Sequence, residues 1–201
     1  MSFSILSVCT GNICRSPVAE LMLARDLSSV AGIHVESAGT GALVGAGVPD
    51  PARLRAASIG IDASAHEARQ INMAMIRRAD LVLTMAREHR RVVVQHVPAA
   101  MRRSFTLREF ARIAEVVRPQ LEDAVRAAGA QTAEDAVRAG VALAAALRGT
   151  VPPPADPSDF DVIDPYRRSE DIYEQSFDEL RPAAEVVASY LTAAARARKS
   201  D

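Results

Sequence analysis

Cysteine is scarce in this chain of 201 residues: there are two, Cys9 and Cys14, and both fall in one short stretch. No disulfide framework can staple the fold, which fits a reducing compartment and a reactive role for the thiols. Lysine is rarer still, occurring only as Lys199, so arginine carries the positive charge. The formal net charge is −1, which supplies no bulk field for nucleic acid or a membrane surface. No apolar run approaches the length of a bilayer span, and the start lacks the charged and apolar regions of a signal peptide, so a cytoplasmic protein is expected. The four histidines and two cysteines show no zinc-ligand spacing, and no metal or other cofactor is expected. Hydrophobic residues make up 49% of the chain, enough for one sizeable core.

What is present is concentrated in Val8–Glu20, VCTGNICRSPVAE. The apolar run from Phe3 to Val8 reads as a buried strand, and Pro17–Leu23 reads as a helix with Pro17 at its first position and Glu20 in its first turn. Between them a thiol ends the strand, five residues turn, and Arg15 and Ser16 open the helix. Backbone N–H groups of such a loop converge on an anion. They belong here to Thr10, Gly11, Asn12, Ile13, Cys14 and Arg15, with Gly11 free to take unusual backbone angles. The Arg15 guanidinium is a fork for two phosphate oxygens. Cys9 sits in the same positive field, which favours its thiolate as a nucleophile. Ser16 can donate to that sulfur, and the Asn12 amide can brace the loop. Cys14 is near enough along the loop to trap an oxidised Cys9 as a disulfide, a redox protection.

The series C-T-G-N-I-C-R-S-P resembles the signature of the low-molecular-weight protein tyrosine phosphatases. The resemblance implies that Cys9 is the nucleophile, Arg15 the phosphate clamp, and Asn12 and Ser16 loop supports. Further segments are similar to the same family. The turn Ser37–Ala42 follows a second strand, Ile33–Glu36, and makes Ser37 a supporting residue. His66-Glu67-Ala68-Arg69-Gln70 is similar to a family segment whose histidine braces the loop asparagine. Asp80–Met85 reads as the third strand and Ser104–Thr106 as the fourth. Asp164-Pro165-Tyr166 resembles the second family signature, which makes Asp164 the general acid. Tyr166 and Arg167 are then the substrate wall, with Arg167 where a second aromatic often stands and Ala42 and Leu43 in place of another. His89 and His96, seven apart on one helix, are too distant to share a metal.

Strands and helices alternate, so an α/β fold is expected. The resemblance implies four parallel strands with helices on both faces. A single domain over 1–201 is expected, with a helical insertion at about 107–150 and a stiff Pro-rich linker after it. The last helix carries Tyr173, Phe177, Leu180, Ala184, Val187 and Leu191 as one apolar stripe, with a kink expected at Pro182. The implied activity is phosphomonoester hydrolysis on a phosphotyrosine-containing protein, without nucleic acid or membrane partners. Two other readings share parts of the pattern: a thiol-linked arsenate reductase, and a phosphate-binding module without catalysis.

Overall fold

The computed structural model describes residues 2–198. Its strands are β1 (Phe3–Cys9), β2 (Ile33–Gly39), β3 (Leu81–Thr84) and β4 (Ser104–Thr106). Its helices are α1 (Arg15–Asp26), α2 (Asp50–Ser58), α3 (Met73–Arg78), α4 (Arg87–His96), α5 (Leu107–Val117), α6 (Leu121–Ala127), α7 (Ala133–Leu147) and α8 (Glu170–Arg196). The four strands form one parallel sheet in the order β2-β1-β3-β4.

Side chains alternate between the faces of a strand, and β1 divides its own residues accordingly. Phe3 and Ile5 join the core beneath α1, α5, α7 and α8, while Leu6 and Val8 join a second core with Met75 and Ile76 of α3 and Val93 of α4. Both faces of the sheet are covered, as an all-parallel sheet requires. No helix among the described residues is long and apolar enough to cross a membrane.

Helix α5 starts at a capping box. Thr106 Oγ1 accepts from Glu109 N at 3.1 Å, and the Glu109 carboxylate accepts from Thr106 N at 3.2 Å, an arrangement that contributes about 1 kcal/mol. Helices α5, α6 and α7 all lie against α8. Gly140 of α7 permits a close approach. A Cβ there would meet Ala194 at 3.1 Å and Leu121 at 3.2 Å, and the Gly140 carbonyl accepts from the buried Tyr190 hydroxyl at 2.8 Å.

Several boundaries differ from the expectation. β2 does not stop at Glu36: Ser37, Ala38 and Gly39 pair with Ser7, Val8 and Cys9. Their turn-like composition is overridden by register with the central strand. Helix α1 begins at Arg15, so Pro17 is its third residue and Glu20 lies beyond its first turn. Pro17 is still among the positions whose N–H has no partner inside a helix. α8 is one continuous helix of 27 residues through Pro182.

Candidate active site

The loop after β1, residues 10–14, sits at the carboxyl end of the sheet, and its direction is fixed by its carbonyl groups. The carbonyls of Cys9, Thr10 and Gly11 accept from the N–H groups of Thr40, Gly41 and Leu43 at 2.9, 3.0 and 3.0 Å. The Asn12 carbonyl accepts from His66 Nε2 at 2.6 Å. In a planar trans peptide the N–H opposes the carbonyl before it. Four outward carbonyls therefore turn the N–H groups of Thr10, Gly11, Asn12 and Ile13 inward. The strand beyond β1 must come very close for this: a Cβ on Gly39 would lie 2.3 Å from the Thr10 carbonyl oxygen.

Asn12, not Gly11, takes the left-handed conformation, with φ 53°. Asparagine tolerates it better than most residues, at a cost on the order of 1–3 kcal/mol. The buried side chain offsets that cost with three hydrogen bonds. Nδ2 donates to Ser16 Oγ at 3.0 Å and to Ser37 Oγ at 2.8 Å, and Oδ1 accepts from Arg69 N at 2.9 Å. Each contributes about 1 kcal/mol net.

These bonds give the network a direction. The Ser37 hydroxyl donates to the Glu20 carboxylate, so it accepts from Asn12. Ser16 Oγ also accepts from Asn12, which frees its own proton for Cys9 Sγ, 2.9 Å away. Asn12 N is the second donor to that sulfur, at 3.3 Å. Cys9 is buried, with 2% of its surface exposed, and both of these neighbours stabilise negative charge on it.

Arg15 is buried and held at both ends of its fork: Nη1 donates to the Val162 carbonyl at 2.9 Å, and Nη2 lies 2.7 Å from Asp164 Oδ2. Asp164 is half exposed. It reaches the loop because Val162 N donates to Met85 O at 2.7 Å and Ile163 N to Glu179 Oε2 at 2.8 Å, which ties this segment to β3 and α8. Asp164 Oδ1 accepts from Tyr166 N at 3.1 Å, a turn that directs the carboxylate back. Asp161 serves elsewhere. Its carboxylate accepts from Arg87 N at 2.8 Å, at the start of α4, and pairs with the Arg87 guanidinium.

Cys9, Thr10, Gly11, Ile13, Cys14, Arg15, Gly41, Leu43, Asp164 and Tyr166 together line a cavity of about 130 Å³. Larger grooves exist, one of about 730 Å³ between α6 and α8, but that one shares no lining residue with this cavity. Arg167 is not part of the wall. It takes φ 58°, and its guanidinium lies over the Tyr166 ring, 5.1 Å from the centroid. The opposing wall is Leu43, brought in by Leu43 N on the Gly11 carbonyl. Asn12 is expected among the phosphate ligands; its N–H faces Cys9 Sγ, and its side chain points into the buried network. His66 lies in an irregular segment.

The Cys14 thiol is buried and lies near Cys9 and Tyr173. Burial first, and Cys9 second, push it up to about 12. Both cysteines are free. Glu20, Arg69, Val162 and His89 are also in contact with this machinery; Glu20 and Arg69 lie inside the stretches singled out in the sequence without a role assigned there, and Val162 and His89 lie in no motif. For His89 the one available signal is its spacing of four from the buried Val93 on α4.

Residues 4–141 match the model of the family described as low molecular weight phosphotyrosine protein phosphatase. The chain is 41% identical over 122 residues to a probable low molecular weight protein-tyrosine-phosphatase, EpsP, of Ralstonia nicotianae, spanning 59% of this chain and 81% of that protein. It is 37% identical over 110 residues to a protein-arginine-phosphatase of Geobacillus stearothermophilus, spanning 55% and 72%. Among solved structures it is similar to the YwlE arginine phosphatase from Geobacillus stearothermophilus. There the TM-score is 0.66 at 26% identity, covering 94% of this chain and 93% of that one.

Proposed function

This chain belongs to the low molecular weight phosphotyrosine protein phosphatase family and is a phosphomonoester hydrolase, and we propose that its reaction runs through a phosphorylated Cys9. The observation that carries this reading is the pair of donors on Cys9 Sγ, from Ser16 and from Asn12 N, at the floor of a cavity that Arg15 and Asp164 also line. The thiolate attacks phosphorus. The S–P bond forms, the P–O bond to the leaving group breaks, and Asp164 gives its proton to the departing oxygen. Inward N–H groups and Arg15 hold the equatorial oxygens. Water then attacks phosphorus, Asp164 takes its proton, and phosphate and the thiolate are released. Asp164 must leave the Arg15 fork for the phosphoryl group to take its place. The phosphoryl oxygens replace the carboxylate on the buried Arg15, so the exchange leaves no buried charge unpaired.

Phosphotyrosine on a protein is the substrate this wall supports. Ile13, Leu43 and Tyr166 offer apolar surface to a ring. A phosphorylated guanidinium would instead set N–H donors against Ile13 and Leu43. The one acidic side chain in the lining is Asp164, which the reaction needs protonated. Steady-state assays on a phosphotyrosine peptide, a phosphoarginine peptide and arsenate with a small-thiol reductant test this. We expect turnover of the first, at least about ten-fold less of the second by kcat/KM, and no reduction of arsenate. Preference for phosphoarginine would overturn the substrate assignment while leaving the Cys9 chemistry standing.

We further propose that Cys14 protects Cys9. Peroxide should inactivate the protein with recovery in a dithiol, whereas in Cys14→Ser the loss should become largely permanent. Attack by Cys14 on a Cys9 sulfenic acid needs the Cys14 thiolate. With that thiol pushed up to about 12, its thiolate fraction is small at neutral pH and grows as pH rises. The protected fraction should therefore rise with pH in the wild type and stay flat in Cys14→Ser. Equal recovery in the two proteins at every pH contradicts the role.

A further inference from the structure

His89 is a buried titratable group that the mechanism above leaves unused. It lies in the first turn of α4 and is 1% exposed. Its Nε2 is 2.9 Å from Thr10 Oγ1 and 3.5 Å from a carboxylate oxygen of Glu88. Its Nδ1 is also enclosed and meets no hydrogen-bonding atom among the described residues.

That asymmetry decides where the proton sits. A neutral imidazole carries one N–H and one lone pair. Burial, with the Arg15 charge second, lowers His89 to about 4, so the ring is neutral at physiological pH. Nδ1 is unpaired in either tautomer, as an N–H or as a lone pair, so the surroundings of Nε2 decide. A proton on Nε2 has two oxygens to meet, one of them anionic. The Nε2–H tautomer follows, and Thr10 Oγ1 is its acceptor.

The Thr10 hydroxyl has a single proton. With one lone pair taken by His89, that proton is free to point toward the cavity that Thr10 lines with Cys9 and Arg15. The opposite tautomer would draw the Thr10 proton onto the ring and turn oxygen lone pairs toward a phosphate dianion. The choice is thus between a hydrogen bond to a charged group and a repulsive contact.

We propose that His89 is a positioning residue for phosphoryl transfer, its Nε2–H holding the Thr10 hydroxyl so that Thr10 donates to the phosphoryl group above Cys9. The proposal rests on the phosphatase reading, and the test separates the two. It uses the full chain and the variants Thr10→Val, His89→Leu, His89→Gln and the double variant Thr10→Val/His89→Leu. The readouts are kcat and KM on 4-nitrophenyl phosphate, the inhibition constant of inorganic phosphate, and the ¹⁵N signals of His89 in the wild type.

Thr10→Val should lower kcat/KM by about 10- to 100-fold, the size of a hydrogen bond to a charged group. His89→Leu should lose a similar factor, and the double variant should be no worse than Thr10→Val alone. His89→Gln should recover most of the loss, because its side-chain amide can present an N–H near the position of Nε2. The spectrum should show a proton on Nε2 and none on Nδ1. A proton on Nδ1, losses that multiply in the double variant, or a Gln variant as poor as Leu would each overturn the proposal. If His89→Leu does not fold, the Gln variant and the wild-type spectrum decide it. Failure of the phosphatase reading looks different: wild-type turnover would survive Cys9→Ser.

Discussion

Cys9→Ser should lose turnover by about 10⁴-fold or more while still binding phosphate or vanadate. Oxygen replaces sulfur with little change of shape, so the loop, Arg15 and the inward N–H groups stay in place. What changes is the nucleophile. The two neighbours of Cys9 Sγ, Ser16 Oγ and Asn12 N, are donors. Donors stabilise an anion that already exists, but neither removes a proton. A thiolate is a strong nucleophile; a neutral alcohol with no base beside it is not. Loss of kcat with phosphate inhibition retained is the expected pattern. Turnover within about ten-fold of wild type in a folded Cys9→Ser protein would remove the nucleophile from the account.

The second large effect is expected at Asp164, on a phenolate of high basicity. General acid catalysis contributes about 10²–10⁴-fold in rate. Asp164→Asn should therefore slow phosphotyrosine by about that factor and 4-nitrophenyl phosphate by less, since a nitrophenolate leaves without a proton. KM should not rise. The carboxylate now pairs with Arg15 at 2.7 Å, and an amide competes less well with phosphate for that guanidinium. Asp161→Asn is the control. It removes the partner of Arg87 at the start of α4, so it should lower stability and leave kcat nearly unchanged. A crippled Asp161→Asn beside a normal Asp164→Asn would move the acid to the wrong residue.

The parts of the site that were readable in the sequence are those written contiguously. Cys9 to Ser16 lie within eight residues, and each type has its own use at its own spacing. The alternation of strands and helices was readable for the same reason, because hydrophobic periodicity is local. Parts that depend on what lies opposite were not. Ser37–Gly39 has the composition of a turn, yet it is strand because Ser7–Cys9 lie beside it. Arg167 follows Tyr166, but its positive φ swings it onto the ring face instead of into the cavity. Glu20 looks like a helix-start acid and instead ends the hydrogen-bond chain through Ser37 and Asn12. His89 is 79 residues from Thr10, and nothing around it in the chain announces the contact. The left-handed position is not legible for a related reason. Glycine is the obvious candidate from sequence, but the side-chain bonds of Asn12 make it the residue that takes that conformation.

The central claim is that phosphorus passes through Cys9 sulfur, and one measurement addresses it directly. In Asp164→Asn the first step still runs on an activated aryl phosphate, while the second lacks the base that draws a proton from water. The phosphoryl-enzyme should accumulate. Acid quenching of that variant within its first turnovers, followed by peptide mass spectrometry, should find one phosphoryl group on the peptide that begins the chain, attached to Cys9. No adduct, despite a burst of nitrophenolate, or an adduct on any other residue would contradict it.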